Sequence, residues 1–196
     1  MSHNIYDCDM YMVESEQDLA NFSCGSKDLD EFFALDAFSY DRQMLGKTYY
    51  FETKDTSQVI AAFTVANDSI KASLISKSTR NRLNRKIPNT KRTRSYPAVL
   101  IGRLGVSGNE KGTGVGSQVI DFIKKWFSQH NNKSGCRYVV VDAYNLPQVL
   151  QFYEKNEFQF LYDNEQEEKD TFGLKRDEKL NSRMMYFDLI NYSDIN

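Results

Sequence analysis

Apolar positions along the 196-residue chain change their spacing several times. Between Asp28 and Gly46, the residues Leu29, Phe32, Phe33, Ala37, Tyr40 and Met44 recur at helical spacing. Asp28 and Glu31 supply an opening in the manner of a capping box, and Gly46 is placed to end the helix. A shorter helix is expected over Ser15–Asn21. Strands are expected at Thr48–Glu52 and Val59–Val65, joined by a polar hairpin connection through Lys54–Ser57. Pro97 introduces a further strand, Ala98–Val106. Val115, Val119, Phe122, Ile123 and Trp126 then predict an amphipathic helix over 115–129. A strand over 137–142, a helix over 147–155, a strand near Phe158–Tyr162 and a closing strand at Arg183–Leu189 complete the pattern. This order predicts a mixed α+β sandwich of the α/β class, a central mixed sheet flanked by helices on both faces. The length suits one well-buried core, hence a single domain over 1–196 with an insertion at about 67–97.

The junction between the 98–106 strand and the 115–129 helix carries the chemistry. Lys111-Gly112-Thr113-Gly114-Val115-Gly116 is dense in glycine, so backbone N–H groups can approach a ligand with no Cβ in the way. A helix start adds unpaired donors and the positive end of a dipole, which suits a phosphate or diphosphate. A P-loop is excluded, because Gly116 is followed by Ser117-Gln118 where that motif needs Lys-[Ser/Thr]. A dinucleotide fingerprint is partly met by Gly112-x-Gly114-x-Gly116, with Asp142 closing a second strand. Its glycines are one residue out of register, and few residues follow Asp142 to complete a doubly wound sheet.

The same loop resembles the diphosphate loop of the GCN5-related N-acetyltransferase family, [Q/R]-x-x-G-x-[G/A], with lysine at the first position. Downstream, Asn145-Leu-Pro-Gln-Val-Leu-Gln-Phe152-Tyr153-Glu-Lys155-Asn-Glu-Phe158 resembles that family's N…FYEKxGF segment. The two blocks cover roughly 98–161, with one helix and one strand between them. Glu157 stands where the family usually has glycine, so the turn before Phe158 is expected at Asn156, which tolerates the left-handed region. The Asn145 to Tyr153 spacing is one residue longer than usual.

The resemblance implies acetyl-CoA as cosubstrate, a primary amine as acceptor, and a cleft where two neighbouring parallel strands part. It assigns the cofactor to Lys111, Gly112, Thr113, Gly114, Val115, Gly116 and Ser117, to the backbone of Leu104, Gly105 and Val106, and to Asn145. It makes Tyr153 the general acid that protonates the departing thiolate. No residue is assigned as general base: Asp142 and Glu52 are open alternatives, as is an amine that binds already neutral. Arg103, the lone charge in its strand, either faces solvent or pairs with a carboxylate. A non-catalytic CoA- or RNA-binding module and a small dinucleotide-dependent oxidoreductase are the rival classes.

Composition narrows the setting. Apolar residues at 40% and aromatics at 13% fit a globular chain. No apolar run approaches the ~18 residues of a membrane span, and Met1–Met10 lacks the basic-then-apolar pattern of a secretory signal. Cys8, Cys24 and Cys136 show no metal-ligand spacing and fit reduced thiols in the cytoplasm. His3, in a terminal tail, and His130, at a helix end, suggest no metal or triad. The net charge of −2 hides eight basic residues and no acid between Lys77 and Arg94, against five acids in the eight residues Asp163–Asp170. The basic segment reads first as a solvated, mobile insertion, and alternatively as a contact for tRNA or another polyanion. That layout loosely resembles toxin-type members of the family that acetylate aminoacyl-tRNA. A homodimer is an open expectation.

Overall fold

The computed structural model describes residues 3–88, 94–132 and 134–192. The chain divides into two compact units, Met1–Asn67 with Ile101–Trp126, and Asp68–Leu100 with Phe127–Asn196.

In the first unit the strands β1 (Asp9–Met12), β2 (Lys47–Glu52), β3 (Val59–Lys71, here up to Asn67) and β4 (Ser95–Val106, here from Ile101) lie in that order. β1, β2 and β3 are successively antiparallel, and the register sets aromatic residues opposite one another. Tyr11 faces Tyr50 and Tyr49 faces Phe63, with ring centroids 5.6 Å apart in both pairs. Such cross-strand pairs are what hold a narrow antiparallel ribbon in register. The 115–129 expectation is met by α4 (Val115–Ser128). Its apolar stripe sets Trp126 edge-on to Tyr49 at 5.0 Å and Phe122 edge-on to Phe51 at 5.3 Å.

The helix expected from Asp28 to Gly46 is broken into α1 (Lys27–Glu31), a π-helical stretch Phe32–Asp36 and α2 (Ala37–Arg42). Met44, at φ 58°, makes the left-handed turn that ends it. Gly46 serves packing instead: a Cβ there would lie 2.8 Å from Tyr40 Cε1 and 3.0 Å from the Val65 carbonyl. Ser15–Asn21 forms turns rather than a helix. The Asp18 carboxylate accepts from the N–H groups of Glu14 and Ser15 and from the Ser15 hydroxyl, at 2.7, 3.0 and 2.6 Å. That local bonding competes with a helical path.

In the second unit the order is β3, β4, β5 (Tyr138–Tyr144), β7 (Ser182–Asp188), β6 (Gln159–Phe160), with β7 antiparallel to both β5 and β6. The helices are α3 (Lys77–Asn84), α5 (Pro147–Lys155) and α6 (Glu165–Phe172). Its core stacks three buried tyrosines edge-to-face, Tyr96 on Tyr138 at 6.1 Å and Tyr138 on Tyr186 at 5.8 Å.

The basic segment is therefore not a loose insertion where the structure describes it. Ser76 caps α3 by accepting from the Thr79 N–H, and Leu83 is buried, which contributes about 1.5–3 kcal/mol. The Tyr96 and Tyr138 hydroxyls donate to Asn84 Oδ1 and the Leu83 carbonyl, each at 2.9 Å. Lys91 and Arg92 lie outside the described residues.

The acidic run forms α6. Asn164 caps it by accepting from the Glu167 N–H, its first turn is acidic as the helix dipole favours, and Gly173 ends it at φ 71°. Glu168 is buried, accepting from Arg183 Nε and the Met184 N–H, both at 2.6 Å. Burial raises its carboxyl above the ordinary value in spite of those two donors. Among the described residues no helix is long and apolar enough to cross a membrane.

Candidate functional site

In the first unit, β4 ends at Val106 and a single 3₁₀ turn, Gly108–Glu110, leads into the glycine loop. Ser107 donates its N–H to the Ile60 carbonyl at 2.9 Å, and Gly108 donates to Ser23 at 3.2 Å, so the entrance to the loop is anchored. Lys111, Gly112, Thr113 and Gly114 are exposed. Gly112 and Gly114 stand at φ 76° and 98°, and a Cβ at either would meet nothing within 4 Å. The glycines are thus demanded by backbone conformation, and the space above them is open to a ligand. Thr113 returns its N–H to the Glu110 carbonyl at 3.3 Å. Among the described residues no acceptor takes the N–H of Gly112, Gly114, Val115 or Gly116. Four donors at the start of a fourteen-residue helix form an anion cradle of the kind that holds a diphosphate. Ser117 is half-buried in the first turn of that helix.

The Lys111 ammonium is turned toward the neighbouring loop, its Nζ 3.3 Å from where a Cβ on Gly25 would lie. On β4, Gly105 is fixed by crowding: a Cβ would sit 3.0 Å from Phe33, 3.1 Å from Phe22 and 3.3 Å from Cys24. Leu104 and Val106, on either side of it, are only partly covered. Arg103 takes neither of its expected courses. Its guanidinium lies 4.9 Å over the Phe32 ring and donates to the Gly102 carbonyl at 2.8 Å, so an aromatic face stands in for a carboxylate.

Two groups that sequence reasoning missed underlie the loop. Glu110 is buried, and its carboxylate accepts from the His3 ring at 2.6 Å, the His3 N–H at 3.3 Å and the Thr113 hydroxyl at 3.2 Å. The His3 hydrogen bond is the main reason its carboxyl stays below the ordinary value. His3 is therefore not a loose tail residue. No local pattern joins two residues 107 positions apart, so this pairing carried no signal in the sequence.

In the second unit, Pro147 opens α5 at a first-turn position and Asn156 follows its last turn. Tyr153 is buried on α5, its ring edge-on to Phe152 at 5.1 Å and to Phe158 at 5.4 Å. Burial alone pushes its phenol far above the ordinary value, and among the described residues nothing hydrogen-bonds to the hydroxyl. The expected turn before Phe158 is made by Glu157, at φ 64°, while Asn156 stays at φ −92°. Phe158 donates its N–H to the Tyr153 carbonyl at 3.0 Å, which requires the reversal at the residue between.

Asn145 has committed both amide hydrogens, to Glu165 Oε1 at 3.1 Å and the Leu180 carbonyl at 3.0 Å. It ties the start of α5 to the residues around α6, and only its carbonyl oxygen remains for a ligand. Asp142, exposed on β5, has its carboxyl raised by partial desolvation and then by the Asp68 charge. Glu52 lines a separate polar cavity of about 580 Å³ in the first unit, together with Asp18, Ser107 and Gly108.

The fold is shared with solved structures. It is shared with a tyrosine-to-phenylalanine mutant of KacT (17% identical, TM-score 0.70, covering 94% of this chain and 96% of that one). It is shared likewise with AtaT complexed with acetyl-methionyl-tRNAfMet (17%, 0.70, 95% and 97%). AtaTR bound with AcCoA gives the same result (18%, 0.68, 95% and 96%). No family model matches the chain. No curated protein matches it in sequence. At these identities the solved structures establish the fold, and the toxin-type resemblance read from the sequence is met at that level.

Proposed function

We propose that the protein transfers an acetyl group from acetyl-CoA to a primary amine. The observation that carries this reading is the set of N–H groups at Gly112, Gly114, Val115 and Gly116 that no acceptor takes among the described residues, with open space beside Gly112 and Gly114. Acetyl-CoA supplies an activated thioester. The glycine loop and Ser117 hold its diphosphate, and the β4 backbone at Leu104–Val106 aligns the pantetheine arm as an added strand would be aligned.

The chemical step forms a C–N bond from the amine lone pair to the acetyl carbon and breaks the C–S bond. The sulfur leaves with the electron pair and the amine nitrogen gives up one proton. Tyr153 is the group assigned to the sulfur. Its raised phenol is a weaker acid than a thiol of ordinary pKa ~8.5, so it is protonated at every working pH. Its contribution is a hydrogen bond that strengthens as negative charge gathers on sulfur, and the released thiolate, of ordinary pKa ~8.5, takes its proton from solvent. Orientation of the two reactants supplies much of the remaining rate gain. Asp142, its carboxyl raised by desolvation and the Asp68 charge, is a candidate base for the amine proton.

The acceptor we favour is the α-amine of an aminoacyl-tRNA. AtaT has been solved with acetyl-methionyl-tRNAfMet, and here Lys77 is exposed at the start of α3 and Arg85 just past its end. A cytoplasmic setting agrees with three free cysteines. The test is incubation with labelled acetyl-CoA and a set of charged tRNAs. Label appearing on the aminoacyl group, together with thermal stabilisation by acetyl-CoA and not by NAD, is the expected result. Stabilisation by NAD alone would overturn the reading.

A further inference from the structure

We propose that His3 is a positioning residue for the coenzyme diphosphate, its imidazole offsetting the Glu110 carboxylate buried at the base of the glycine loop so that a second anion can be held there. The inference rests on the acetyl-CoA reading and goes further, because it concerns how an anion site tolerates a buried acid at its root.

The two requirements conflict. Glu110 is 5% exposed and precedes the loop directly, and its carbonyl and carboxylate shape the loop by accepting from Thr113 N–H and Oγ1. Ionised and uncompensated, the same carboxylate would repel any phosphate brought to the donors two to six residues on. Its depressed pKa keeps it ionised near neutrality. Lys111, adjacent in sequence, is turned toward Gly25. The ionisable neighbours that face Glu110 are His3 and the Cys8 thiol, whose own ionisation its charge opposes. Among the described residues His3 alone forms an ion pair with it.

The segment bearing His3 is itself fastened to α4. Ile5, buried, donates its N–H to Gln118 Oε1 at 2.9 Å, and the Tyr6 hydroxyl donates to Asp121 Oδ2 at 3.0 Å. Residues 3–6 thus form a strap along the first two turns of the helix whose start holds the anion, and the strap sets the His3 imidazole 2.6 Å from the Glu110 carboxylate.

The experiment is calorimetric titration of the full chain with acetyl-CoA, paired with steady-state kinetics. His3→Gln keeps a hydrogen-bond donor and removes the charge. It is expected to weaken acetyl-CoA binding roughly tenfold (about 1.4 kcal/mol) and to raise KM by a similar factor with kcat held. His3→Lys, which restores a cation, is expected to bind as the parent does. The double variant His3→Gln/Glu110→Gln, which removes both charges, is expected to recover most of the lost affinity. Parent affinity in His3→Gln, or a double variant as weak as the single one, overturns the proposal. No acetyl-CoA binding by the unaltered chain overturns the acetyl-CoA reading, and the proposal with it.

Discussion

Replacing Tyr153 by phenylalanine separates the chemistry of α5 from its packing. The Tyr153 ring keeps its edge-on contacts to Phe152 and Phe158 in the variant, and among the described residues its hydroxyl has no protein partner to lose. Deleting a buried hydroxyl without a partner is close to neutral, so stability should move by no more than about 0.5 kcal/mol. The coenzyme's diphosphate lies with the glycine loop in our reading, so acetyl-CoA affinity should be held as well. The hydrogen bond to sulfur disappears, and loss of a positioned proton donor costs about 10²–10⁴-fold in rate. Thiol release, followed with a thiol-reactive chromophore under saturating acetyl-CoA, measures turnover. Thermal melting and calorimetry measure the other two quantities on the same preparation. Turnover equal to the parent's would refute the role of Tyr153. A parallel fall in turnover, affinity and melting temperature would show that the phenol is a packing group.

Four further outcomes follow from the geometry. Gly105→Ala drives a methyl toward two aromatic rings at 3.0 and 3.1 Å, and should cost about 1–3 kcal/mol, read as a drop in Tm. Glu157→Gly relieves a left-handed residue at about 1–2 kcal/mol, offset by glycine's greater freedom when unfolded, so denaturant titration should show a net gain of about 0.5–1 kcal/mol. Lys77→Ala with Arg85→Ala should leave the melting temperature alone while weakening tRNA binding and flattening its salt dependence. Arg82→Ala should instead lower stability by about 1–3 kcal/mol, since Arg82 donates to the Phe160 and Leu161 carbonyls at 3.0 and 3.2 Å.

The elements legible in the sequence were those with local punctuation. Pro147 and the glycine loop mark the starts of α5 and α4, and both helices lie within a residue of the positions read from spacing. The basic segment was misjudged because its composition suggested solvent. Its order comes from two tyrosine hydroxyls and a leucine far apart in sequence, which periodicity does not register. The acidic run concealed α6 for the same reason, since charge density masked the Asn164 cap and the Gly173 stop. The π-helical stretch at Phe32–Asp36 is invisible to any fixed 3.6-residue template. Of the candidate site, the glycine loop was readable as a local motif. The loop's support by His3 was not, because it is a contact across more than half the chain.

The buried carboxylate in α6 constrains how this protein can vary. Glu168 meets the Arg183 side chain and the Met184 backbone, so either side chain changed alone strands a charge in the interior. Among relatives, positions 168 and 183 should therefore vary together, as an acid–base pair or as two apolar residues. Gln166 and Asp170, whose side chains bond to each other at 2.6 Å, are free to drift. In a stretch that looks uniformly acidic, position 168 should change only in step with position 183.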